Sequence, residues 1–307
     1  MFDYRYHALS LAAVLLALAV GVVIGVAIGD SNLVSSAKNG IVHDLQSEVS
    51  GAQRQAAELD SQLKGEEAFA NDLYPIAVHG LLGGRNVGLL FLGSSSNRVN
   101  GLVRNAVTQA GGDLATVVAV REPLDLSGIA REASGTRFAA LGAEPSAGAG
   151  GKVESSAQLV EGFATIVAKQ LVSGGQNVSR ELISRVRGRL LTAFDGQLGR
   201  LDGLVLVRND PSAMTPEQSQ ASAAFESGLV KGLATVGIPT VGVELSTTEP
   251  SQVPWYQGED LSSVDDLDTT AGEAALIYAL TGSHGAYGRK STADSLLPNV
   301  VGASAQP

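Results

Sequence analysis

The stretch NVGLLFLG, Asn86–Gly93, is a short apolar run bounded by turn residues, the composition of a parallel strand buried on both faces. The next segment, NRVNGLVRNAVTQAGG, places Val99, Leu102, Val103, Ala106, Val107 and Ala110 on one helical face. It stops at Gly111-Gly112, and LATVVAV follows as a second strand, so the three pieces predict a β-α-β unit. The alternation returns downstream with DGLVLVRN as strand, TPEQSQASAAFESGLVKGLATVG as helix and PTVGVEL as strand. Between the two units lie a glycine-rich loop, GAEPSAGAGG, and two helical patterns, VESSAQLVEGFATIVAKQLV and SRELISRVRGRLLTAF. The expected class is α/β: a doubly wound, mainly parallel sheet with helices on both faces, spanning residues 84–288. An inserted helical subdomain is the alternative for the interior helices.

Upstream, Leu9–Ile28 has Ser10 as its one polar residue. At ~1.5 Å per helical residue it reaches ~30 Å, the hydrocarbon thickness of a bilayer. A cleaved signal peptide is the competing reading, with Ala27-Ile28-Gly29 as a small-x-small site, but signal cores usually run ~7–15 residues. The expectation is an uncleaved transmembrane helix over 9–29, a short cytoplasmic N-terminus over 1–8 and an exported remainder. Gly21, Gly25 and Gly29 share one stripe, which lets two membrane helices approach closely. From Val42, the residues Val42, Leu45, Val49, Ala52, Ala56, Leu59 and Leu63 alternate spacings of three and four, the a/d pattern of a coiled coil. A stalk over 30–70 and a homo-oligomer held by the stalk and the glycine stripe follow. The alternative is an amphipathic helix packed on the downstream domain.

The chain has 307 residues, 44% hydrophobic and 17% charged, with net charge −10. That acidity argues against nucleic acid as a partner. With Cys absent, disulfides and thiolate metal sites are excluded.

Candidate site residues cluster at element junctions. Ser94, Ser95 and Ser96 follow the first strand and would cap the next helix or line a ligand loop. The G-x-G-x-x-G and Walker spacings are absent, which argues against a dinucleotide or P-loop site. Asp265, Asp266 and Asp268 offer three carboxylates to a hard cation, or Asp268 helps cap a helix while the others are solvated. Thr270 and Glu273 have capping-box spacing. His284, a metal candidate with the three carboxylates, and Tyr287, a ligand-loop candidate, lie in the glycine loop GSHGAYG, and 289–307 reads as a flexible tail. No nucleophile elbow or H-E-x-x-H pattern is present, so an enzyme is not expected.

Taken together, HALSLAAVLLALAVGVVIG near the start, and SSVDDLDTTAGEAALIYAL and GSHGAYG near the end, resemble the mycobacterial copper transporter B family of actinobacteria. The resemblance implies a single-pass cell-membrane protein of the envelope with a role in copper transport and homeostasis, and copper as the ion concerned. The residues resist direct coordination of it. Cu(I) favours thiolate or thioether and Cu(II) favours imidazole, whereas the chain carries Met1, Met214 and the scattered His7, His43, His79 and His284. An indirect effect through envelope protein partners is the expectation.

Overall fold

The structure is a computed structural model that describes residues 4–29, 31–142, 155–174, 177–197, 199–209 and 214–299. It divides into two compact units, Met1–Glu66 and Glu67–Pro307.

In the first unit, α1 (Tyr4–Ile28) contains a 22-residue segment, Tyr6–Ala27, apolar and long enough to cross a membrane. Gly21 and Gly25 face open space, while Gly29 lies just past the helix end, its N–H donating to the Gly25 carbonyl at 2.8 Å. Helix α2 (Ser31–Val78) begins here. Its residues Leu45, Val49, Ala52, Ala56, Leu59 and Leu63 are all exposed in the chain; the side chain of Val42 lies outside the described residues.

The second unit is built on β1 (Asn86–Leu92), β2 (Asp113–Val120), β3 (Leu191–Gly196), β4 (Gly203–Arg208), β5 (Thr240–Val243), β6 (Ser262–Val264) and β7 (Ala286–Tyr287). They form one sheet in the order β3-β2-β1-β4-β5-β6-β7, parallel throughout except for β3. Strand pleating sends alternate side chains to opposite faces. Val87, Leu89 and Phe91 join a core with α3 (Asn97–Gln109) and α9 (Thr270–Leu280). Leu90 and Leu92 join the other core. That second core is covered by α4 (Leu126–Glu132), α5 (Ser156–Ser173), α6 (Asn177–Leu190), α7 (Pro216–Val236) and α8 (Val253–Gly258). Fully burying one such Leu or Phe contributes about 1.5–3 kcal/mol, so continuous apolar strands are the residues that decide this fold.

Several expectations are corrected. The second interior helix ends at Leu190, and Leu191–Gly196 turns directly into the antiparallel edge strand β3. No turn residue separates the two, so the helical pattern ran on in the sequence. The domain begins before residue 84: Tyr74 and Val78 of α2 and Leu82 are buried in the α3/α9 core. The cap of α9 is Thr269, whose Oγ1 accepts from Gly272 N at 3.0 Å, one residue before the Thr270–Glu273 box. The expected flexible tail is fixed at its start. Lys290 N and Arg289 N bind Asp265, Asp294 Oδ2 accepts from Ala286 N at 3.0 Å, and Ser295 bridges Tyr287. Residues 300–307 lie outside the described ones.

Candidate functional site

Because β1, β2 and β4 to β7 are parallel, their carboxyl ends share one rim, the place where open α/β sheets present loop residues to ligands. The predicted acidic trio sits there, but its carboxylates are held by protein donors, with Arg289 reaching both Asp265 and Asp266. Asp265, 0% exposed, accepts from Arg289 N at 2.8 Å and Lys290 N at 3.0 Å. Gly288, at φ +136°, makes this possible, since a Cβ there would overlap the Asp265 carboxylate. Asp266, also 0% exposed, accepts from Thr269 Oγ1 at 3.0 Å and lies 3.3 Å from Arg289 Nε. Burial pushes its carboxyl above the usual range, and its Oδ1 has no hydrogen-bond partner among the described residues. Asp268 accepts from Ser246 N at 2.8 Å and pairs with Arg98 at 3.0 Å. Burial opposes its ionisation, but the Ser246 bonds and Arg98 together hold it below the usual range. Among the described residues, no group of three or more His, Asp or Glu side chains is arranged to hold a metal ion. Asp265 and Asp266 are not solvated as the alternative reading had it, and Asp268 serves the β5 loop instead of capping α9.

The other candidates are dispersed. His284 precedes β7 and so sits at the opposite end of the sheet, exposed, its Nε2 3.2 Å from the Asp260 carbonyl in a shallow pocket with Glu259 and Ser283. Tyr287 is a buried strand residue whose phenol is pushed up by burial and then by Asp294. Ser96 caps α3, its Oγ accepting from Val99 N at 3.3 Å. The Ser94 carbonyl accepts from Asn209 Nδ2 at 2.9 Å, and Ser94 and Ser95 are exposed.

The rim carries a second layer that the sequence reading passed over. Glu244, at the end of β5, accepts from Lys290 Nζ at 2.6 Å, Ser251 Oγ at 2.7 Å and Gln252 N at 2.5 Å. Arg208, at the end of β4, directs Nε to both oxygens of Glu226 at 3.0 and 3.1 Å and Nη1 to Gln252 Oε1 at 2.5 Å, with its guanidinium 4.9 Å from the Trp255 ring centre. Both pairs are nearly closed to solvent, with Glu226 and Glu244 side chains 3% and 2% exposed, so loss of either cation would strand a buried carboxylate. The available signal was a charged residue closing an apolar strand, Arg208 after LVLV and Glu244 after VGV.

Glu122, just past β2, differs from these. It makes no hydrogen bond or ion pair among the described residues, yet it is half-buried. Burial first, and then Glu226, raise its pKa to about 7, against the opposing pull of Arg208. Its folded pKa lies above the ordinary ~4.3. Stability is therefore complete below that ordinary value and is lost as pH rises through 7. At ~1.4 kcal/mol per pKa unit, reduced for partial solvent contact, the ionised side chain costs about 2 kcal/mol. Glu122→Gln is expected to raise stability by about that amount at pH 8 and to leave it unchanged at pH 4. Denaturant midpoints at the two pH values check this, and equal midpoints at pH 8 would refute it.

A family model described as "Copper transport outer membrane protein, MctB" matches residues 1–298. The chain belongs to the MctB family. It is similar to proteins named Copper transporter MctB from Mycobacterium bovis and from two strains of Mycobacterium tuberculosis, at 26% identity over 264 residues, 82% of this chain and 71% of each relative. The MctB match covers the apolar α1 and the sheet together, and it reaches the Lys290–Asp294 segment that seals the rim. In this MctB-family chain, the VDDLD and GAYG motifs that carried the resemblance meet at Asp265 and Gly288.

Proposed function

We propose that this protein lowers cell copper from the envelope as a single-pass membrane protein, N-terminus cytoplasmic and α/β domain outside, acting as a homo-oligomer with partner proteins. The MctB family match over residues 1–298 is the observation that carries the copper role. The span Tyr6–Ala27 supports anchoring by a helix in the cytoplasmic membrane. The exposed stripe of Leu45, Val49, Leu59 and Leu63 supports a coiled-coil partner of the same sequence. The two cores on alternating strand residues support the doubly wound reading of the domain. No enzymatic step belongs to this proposal, and the ion need not pass over these residues: the chain has no Cys, and its two methionines and four histidines are scattered.

The test is elemental analysis of cell-associated copper in a deletion strain and its complemented parent under copper challenge. Excess copper in the deletion alone is expected; equal copper in both strains would overturn the role. For the oligomer, Val42→Cys is expected to give a covalent dimer on oxidation of membranes, and a monomer alone would overturn the seam.

A second reading, an anchored sensor or scaffold, is favoured by α9. Its N-terminal Thr269 binds Asp266 at the rim, Thr270 bonds Asn71, and the Tyr278 hydroxyl donates to the Ala77 carbonyl at 3.0 Å, so one helix ties the rim to the end of α2.

A further inference from the structure

The rim is closed by its own side chains from β5 to β7, and the arrangement between β1 and β4 is different. The order β3-β2-β1-β4-β5 reverses direction between β1 and β4. The chain leaving β1 enters α3 in one core, and the chain leaving β4 leads to α7 in the other. Loops that diverge at such a reversal leave a crevice beyond the strand ends. What lines it here is specific. Gly93, at φ +99°, ends β1 without a side chain, and a Cβ on it would lie 2.8 Å from Asn209 Nδ2 and 3.0 Å from Glu122 Oε2. The Glu122 carboxylate therefore stands directly over the end of β1, beside the Asn209 amide that closes β4. Arg208 commits Nε and Nη1 to Glu226 and Gln252, leaving Nη2 without a partner among the described residues. Ser94 and Ser95 bring exposed hydroxyls to the same loop.

Every other acidic side chain described above at the carboxyl ends of these strands is supplied with donors by the protein. Among the described residues Glu122 has no such donor, so the two lone-pair edges of its carboxyl group face an incoming pair of donors. A carboxylate in this position, past the second strand and facing a glycine at the end of the first, matches in chemistry the acid that accepts ribose hydroxyls in sheets of this strand order. The missing G-x-G-x-x-G spacing removes the pyrophosphate cradle and leaves the hydroxyl-binding half.

We propose that the β1/β4 crevice is a binding site for a vicinal diol of a ribosyl or free-sugar ligand, held by Glu122 with Asn209 and Arg208 at its sides. The proposal does not depend on the copper reading.

The experiment is calorimetry and saturation-transfer NMR on the full chain in detergent at pH 8, with adenosine, D-ribose and 2′,3′-dideoxyadenosine as probes. Binding of adenosine alone identifies a nucleoside site, and binding of D-ribose as well a sugar site; either supports the proposal if dideoxyadenosine binds at least about tenfold more weakly, the worth of the lost hydrogen bonds. Glu122→Gln should weaken the diol ligand by a similar factor. The dideoxy comparison uses the unaltered protein, so it stands whether or not the variant folds. Failure of both diols to bind, or dideoxyadenosine binding as well as adenosine, would overturn the proposal.

Discussion

Replacing Asp265 by alanine is expected to destabilise the α/β domain by about 3–5 kcal/mol, because two backbone N–H groups, of Arg289 and Lys290, lose a charged acceptor in a closed environment. The loss should concentrate in one place. Segment 286–295 is held by Asp265, by Glu244 through Lys290, and by the Asp294–Ala286 bond. Hydrogen exchange in that segment should rise to the rate of local opening while β1, β2 and β4 stay protected. Asp265→Asn retains one acceptor oxygen and should cost roughly half as much. Gly288→Ala tests the same contact from the other side, since its Cβ and the Asp265 carboxylate would occupy one space. Unfolding of D265A within about 1 kcal/mol of the unaltered protein would show that the carboxylate is not the anchor.

The second large effect lies between α5 and α7. Gly228 and Gly232 repeat the four-residue spacing of Gly21 and Gly25 in the apolar helix α1, but in a helix that is packed. A Cβ on Gly228 would overlap the Glu161 carbonyl, and one on Gly232 would lie 2.6 Å from Ala168 Cβ and 2.8 Å from the Thr165 carbonyl. Backbone atoms cannot yield as a flexible side chain can. Gly228→Ala must therefore push the helices apart, breaking the 3.0 Å bond from Thr165 Oγ1 to the Gly228 carbonyl and loosening the Phe163–Phe225 contact. A loss of about 3 kcal/mol is expected, in the upper range for overpacking. Gly21→Ala meets open space in the isolated chain and should leave its folding intact, with any effect confined to helix association in membranes. Thermal unfolding of both variants separates the two uses of one motif; equal stability of G228A and the unaltered chain would remove the close-approach explanation.

The contrast shows what the sequence carried. Long apolar strands declared themselves because Val87–Leu92 and Leu204–Val207 have no polar face to misplace. The helices α3 and α7 declared themselves by period and by terminal glycines. Strand β3 was hidden because helix and strand meet at Leu190–Leu191 with no punctuation, and its register exists only in its pairing with β2. The same limit governs the rim. Asp265, Asp266 and Asp268 are neighbours in sequence and looked like one ligand set, yet successive residues after a strand point different ways, so Asp265 and Asp266 turn to the Arg289 segment and Asp268 to Ser246 and Arg98. Glu122, Arg208, Glu226, Glu244 and Lys290 span 169 positions from first to last, and only the strand order brings them to one end of the sheet. Charge at the close of an apolar strand was the local hint, too common to have been decisive by itself.

The clasp formed by Lys290 and the Asp265 loop also sets a schedule for synthesis. Chains grow from the N-terminus at about 5–20 residues per second, so Glu244 and Asp265 are made before the cation and the N–H groups that neutralise them. Until Lys290 emerges, two carboxylates that end up 2% and 0% exposed lack some or all of the donors that later hold them, so their burial at that stage is costly. Closure of the β5–β7 part of the domain therefore waits on segment 286–295, which brings the donors for both carboxylates.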